Sequence, residues 1–211
     1  MAEQPPTRSV KIPEDERGGW SSDRPRRDGV QRPPNLSVRC RVLKPATEIR
    51  YSPGSLLMIA APSPAERDRL AERLDNRATL MTLDRVRGLL AGQVAEEDID
   101  GRAREVLEAA VLKRLEGNDT VALGLEGFDP DERERYVRIA ARFRRPRHLI
   151  LIDASREGID EEHRSALNEL RRRLDAGELG AEGFQTAMRL GGGSLGELKR
   201  IIFRPPPRDD D

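Results

Sequence analysis

The chain has 211 residues, enough for one folded domain with tails, and its 38 basic and 38 acidic side chains cancel, so overall charge gives no drive toward nucleic acid or an acidic membrane. One cysteine (Cys40) and two histidines (His148 and His163) exclude an internal disulfide framework, a cysteine-rich zinc site and a histidine metal cluster, and no metal site is expected. No apolar run approaches the roughly 18 residues of a membrane span and the first residues carry no signal-peptide core, so the expectation is a soluble cytoplasmic protein with no membrane partner.

Residues 1–38 read as a disordered Pro- and Arg-rich tail, with too little apolar surface to offset the entropy of ordering it. The stretches 39–43 (RCRVL) and 48–52 (EIRYS) are short extended pieces that predict a small hairpin over the turn KPAT. PGSLLMIAA follows, a continuous apolar run of strand length, as expected of a strand buried on both faces. SPAERDRLAERLDN then predicts a helix, with Ser63 as its cap, Pro64 at its first position and Glu66 completing a capping box.

ATLMTL predicts a second buried strand. DRVRGLLAGQ predicts a helix capped by Asp84, and residues 97–118 a longer one ended by Gly117. DTVALGLEG is a third strand, DPDERERYVRIAARF a helix capped by Asp129, and RHLILID a fourth strand. A helix over 160–177 and two final strands, FQTAMRL and KRIIFR, complete a domain over 39–204, and 205–211 is an acidic tail. Strands alternating with helices of this length predict βαβ units and a mostly parallel α/β sheet.

Ligands in such sheets bind beyond the carboxyl ends of the strands, which draws attention to the residues after the first long strand. A phosphate-binding loop has the form G-x-x-x-x-G-K-[ST]: glycines let backbone N–H groups curl around phosphates, the lysine reaches the terminal phosphates and the hydroxyl holds Mg²⁺. Residues 61–68 read APSPAERD in that frame. Ala61 and Glu66 replace the glycines, Arg67 stands at the lysine and Asp68 at the hydroxyl, with Arg69 beside them. Two carboxylates, a proline without an N–H and no glycine oppose tight ATP binding of the usual kind.

The order of segments nevertheless resembles bacterial P-loop kinases of the polynucleotide-kinase type, across LLMIAAPSPAERDRLAERL, TLDRVRGLL, VLKRLEGNDTVALGLEG and RHLILIDAS. That resemblance implies a three-layer, mostly parallel sheet of P-loop kinase type with flanking helices. It implies a role for Asp84 as base toward an acceptor hydroxyl and for Arg87 as a contact to the acceptor phosphate. A residue pair three apart on a helix shares one face, which suits such a division of labour. The family's Arg-rich lid would be represented here by Arg156 and Arg164.

The residues also admit structural readings: Asp84 as a plain helix cap, His148 as a structural strand residue and the basic segment FRRPRH as a solvated connection. The leading expectation is a degenerate P-loop kinase-like protein, without ATP phosphotransfer and without a cofactor, acting on an unknown protein or nucleotide ligand. The alternatives are a divergent active kinase using ATP-Mg²⁺ on a polynucleotide or nucleoside hydroxyl, which would bring nucleic acid in as a partner, and a scaffold working through its tails. The abundance of Arg, Ala and Leu with little Lys fits a bacterial source.

Overall fold

A computed structural model describes residues 36–153, 161–191 and 193–204, so Arg156 and both tails beyond these limits lie outside the described residues. Along the chain run β1 (Arg41–Leu43), β2 (Glu48–Tyr51), β3 (Leu56–Ala60), α1 (Pro64–Ala71), β4 (Leu80–Thr82), α2 (Leu83–Leu90) and α3 (Ile99–Glu116). There follow β5 (Val121–Gly124), α4 (Pro130–Arg142), β6 (Arg147–Asp153), α5 (Glu161–Asp175), α6 (Leu179–Glu182), β7 (Thr186–Gly191), α7 (Ser194–Glu197) and β8 (Arg200–Phe203).

Six strands form a parallel sheet in the order β1-β7-β6-β3-β5-β4. The apolar run of β3 lies at its centre, with Leu56 opposite both Val121 and Arg147. All five β3 residues are buried. Alternate side chains feed two cores: Leu56, Met58 and Ala60 face one, Leu57 and Ile59 the other. The first core is closed by Ala103, Leu107, Val111 and Leu115 of α3, by α4, and by Leu167, Leu170 and Leu174 of α5. The second is closed by Leu70 and Ala71 of α1 and by a small sheet of β2 and β8. This is the three-layer α/β architecture expected from the sequence.

The expected hairpin does not form. β1 lies parallel to β7 at the edge of the main sheet, and β2 lies parallel to β8. Ile49 and Tyr51 alternate inward from β2 onto the second core, which requires β2 to cover the sheet face and separates it from β1. Leu36 and Val38, assigned by sequence to the tail, belong to the packed domain: Leu36 packs on the first core and the Val38 N–H donates to the Gly180 carbonyl at 2.9 Å.

Two helix limits also differ. α1 stops at Ala71 rather than near Asn76, because the backbone beyond it pairs with β8: Ile201 N–H donates to Arg73 O at 2.8 Å and Asp75 N–H to Ile201 O at 3.0 Å. The cap of α2 is Thr82, whose hydroxyl accepts from the Arg85 N–H at 3.3 Å. Asp84 lies inside the first turn, so its carboxylate is available for other partners.

Candidate functional site

The chain leaves β3 for the edge strand β4, returns to β5 beside β3, then crosses β3 to reach β6. That reversal places the loops after β3, β4 and β5 together at the carboxyl end of the sheet. In the loop after β3, Ser63 is the cap of α1, accepting from the Glu66 N–H at 3.3 Å, and its carbonyl accepts from the Arg67 N–H at 3.1 Å. The Ser63 hydroxyl in turn donates to Glu66 Oε2 at 3.4 Å, a side-chain contact in place of the backbone return bond of a capping box. Pro64 lacks an N–H, so of the first-turn amides Glu66 and Arg67 are already bonded to Ser63.

Arg67 turns away from that loop. It is only 6% exposed, and its stem crosses Gly124 at the end of β5. A Cβ on Gly124 would lie 2.4 Å from Arg67 Cδ and 2.9 Å from Thr82 Cγ2, so glycine is what makes room for the arginine. The Arg67 guanidinium then donates to Asp84 Oδ2 at 2.9 Å and to Asp68 Oδ1 at 3.3 Å.

Asp84 Oδ1 takes a second guanidinium, Arg87, at 3.2 Å. Arg87 also reaches Asp100 Oδ1 at 2.7 Å and Glu126 Oε1 at 2.8 Å. Burial works against the Arg87 charge, but hydrogen bonds to Asp100 and Glu126 outweigh it and raise its pKa. Arg104 completes the chain of charges at 3.5 Å from Glu126 Oε2. The structure thus brings together Arg67, Asp68, Asp84 and Arg87. Ala61 is buried behind them and Arg69 points to solvent.

A cavity of about 520 Å³ opens on the other side of Glu126, between the loop after β5, α3, α4 and α5. Leu83, Leu107, Phe128 and Tyr136 form apolar wall, with Glu132 at its polar side. Glu132 Oε1 accepts from the Glu126 N–H at 3.2 Å. Burial pushes the Glu132 carboxyl up to about 6; the charges of Glu126 and Asp129 add to the rise, and the backbone N–H groups of Glu126 and Gly127 oppose it. Glu132, Tyr136 and the Gly124 seat were not singled out by sequence reasoning. A lone glycine inside an apolar strand is a signal of close approach and marks Gly124 in hindsight. Glu132 and Tyr136 sit on a helix whose charged face gives no such mark.

The remaining sequence-stretch residues fall elsewhere. Arg164 donates to Glu161 Oε2 on its own helix at 2.7 Å. Asp153, at the end of β6, is held by Arg171 and by Arg189 Nε, the latter at 2.6 Å. His148 is a buried strand residue, its Nδ1 2.8 Å from Thr186 Oγ1 and its ring stacked on Tyr51 at 4.3 Å between centroids. Within FRRPRH, Arg145 and Arg147 turn inward onto the carbonyls of Leu115 and Gly183, leaving Arg144 exposed. Among the described residues no group of acidic, His or Cys side chains could hold a metal ion, and no helix is long and apolar enough to cross a membrane.

No protein-family model matches the chain and no curated protein matches it. Among solved structures, one that matches is the crystal structure of a "putative kinase" from Chloroflexus aurantiacus J-10-fl, 14% identical, covering 69% of this chain and 88% of that one, with a TM-score of 0.42.

Proposed function

We propose that this chain is a degenerate P-loop kinase-like protein that has given up ATP phosphotransfer and acts by binding or regulation. One observation carries the reading: Arg67, at the position of the loop lysine, is buried against Gly124 and bonded to Asp84, at the position of the acceptor base. Phosphoryl transfer needs the first group free to hold donor phosphates and the second free to accept a proton. Here each engages the other, and Arg87 takes the second Asp84 oxygen. A hydroxyl would have to compete with two guanidiniums for that carboxylate. Ser63 also takes the Glu66 and Arg67 N–H groups, and Pro64 has none, which leaves fewer amides for a phosphate.

The test is phosphoryl transfer from labelled ATP-Mg²⁺ to a panel of oligonucleotides and nucleosides, run beside thermal shift with ATP in the presence and absence of Mg²⁺. The expected result is no transfer and no Mg²⁺-dependent shift, where a nucleotide at 1,000 times its Kd would add about 4 kcal/mol of stability. Transfer abolished by Asp84→Asn, or a large ATP-Mg²⁺ shift abolished by Arg67→Ala, overturns the reading. Either result would instead support a divergent active kinase.

A further inference from the structure

The cavity beside Glu126 shares no lining residue with the loop after β3, and nothing so far assigns it a role. Its volume, about 520 Å³, is that of a small-molecule site. Leu83, Leu107, Phe128 and Ala166 offer it apolar surface from four different parts of the chain.

One wall carries a polar atom with no internal use. Tyr136 is 3% exposed and lines the cavity, yet among the described residues nothing is hydrogen-bonded to its hydroxyl. Nor is that oxygen one of the buried polar atoms sealed away without a partner, so it opens on the cavity. A buried phenol normally finds a partner, because burying a hydroxyl without one costs free energy. Burial, with Glu132 adding to it, pushes the phenol up to about 12, so it keeps its proton and can both donate and accept.

The surrounding charges are of both signs. Arg104 and Arg135 line the cavity with Glu126, Asp129 and Glu132, and Arg87 is bonded to Glu126 from outside it. The lining itself thus carries two arginines, three carboxylates and His163. A ligand of either net charge would meet like charge as well as opposite charge as it lost water. Glu132, an acceptor, and Arg135, a donor, line the same cavity as Tyr136, and their charges act on its phenol with opposite sign.

We propose that this cavity binds a small net-neutral molecule with a ring-sized apolar body and a head group that both donates and accepts hydrogen bonds, a primary carboxamide being the simplest, with Tyr136 as its anchor and Glu132 and Arg135 beside it. Active phosphotransfer at the other loop would leave this cavity standing, and an empty cavity would leave the loss of ATP chemistry untouched.

Three probes of one shape separate the head groups: benzamide, benzoate and benzylamine, each titrated into the full chain at pH 7 and followed by backbone amide NMR. Benzamide is expected to give saturable shifts at Glu126 and Gly127 and to bind more tightly than either charged probe. Tyr136→Phe is expected to weaken benzamide about fivefold, the worth of one neutral hydrogen bond. It should leave the Tm unchanged, since the hydroxyl removed bonds to nothing in the protein. Ala166→Phe fills the cavity from α5 while leaving Tyr136 in place, and should abolish the shifts. No saturable response to benzamide, tighter binding of benzoate or benzylamine, or equal binding by the Tyr136→Phe protein would each overturn the proposal.

Discussion

His148 and Glu132 pull stability in opposite directions as pH changes. Burial, with the neighbouring Arg147 charge adding to it, holds the His148 pKa down at about 4 against an ordinary 6.5. Between those values the unfolded chain carries the extra proton, so stability present above pH 6.5 is lost as pH falls toward 4, by about 3 kcal/mol in full. Glu132 is raised to about 6 from 4.5, so its contribution is present below pH 4.5 and lost as pH rises through 6. Urea denaturation at pH 4.5 and 7.5 separates them. His148→Gln should flatten the acid loss, whereas Glu132→Gln should stabilise at pH 7.5 and leave pH 4.5 nearly unchanged. At this scale the sequence was legible where partners are near in the chain. Ser63 caps α1 as its spacing implies, and Asp84 meets Arg87 three residues on. It was opaque where the partner is distant: the burial of Arg67 depends on Gly124, and nothing local to Arg67 announces that seat.

Arg133 does for α4 what no cap could do alone. It is 2% exposed, donates to the Phe128 carbonyl at 2.6 Å, and bonds Glu182 of α6 through Nε and a terminal nitrogen at 2.8 and 3.0 Å. One side chain therefore fixes the loop after β5, the start of α4 and the short α6. Arg173 reaches the same Glu182 at 2.9 Å. Arg133→Ala leaves the Glu182 carboxylate with one cation in a dry setting, and should cost about 3–5 kcal/mol. Arg133→Met, which refills the volume, together with Glu182→Leu should recover much of that loss in the same denaturation experiment. Element boundaries show why prediction from pattern stops short here. The 3.6-residue pattern continues past Ala71, but the backbone of Arg73 and Asp75 makes strand-like bonds to Ile201 instead. A turn signal between β1 and β2 is genuine, but each strand finds a parallel partner far along the chain.

For the whole molecule, the alternation of apolar strands with capped helices was enough to anticipate a parallel sheet and its layers. It could not order the strands or reveal the second small sheet, because both depend on which distant edges meet. The second core is the part most exposed to that long-range dependence. Ile201 is fully buried there, while β2 lies against β8 in the register Glu48 to Arg200. Removing residues 199–211 should therefore uncover Leu57, Ile59, Ile150 and Met188 while the first core keeps its helices. Enhanced binding of an environment-sensitive apolar dye, with far-UV circular dichroism largely retained, is the expected outcome; an unchanged dye signal would contradict it. The same pairing sets a timetable for birth on the ribosome. Strands β3 to β6 and their helices can assemble as they emerge, but β2, made early, must wait for nearly the last residues of the domain before it has a neighbour. Until β8 emerges, one face of the nascent sheet stays open, and a chain stalled or cut short before it would present that face to chaperones and proteases.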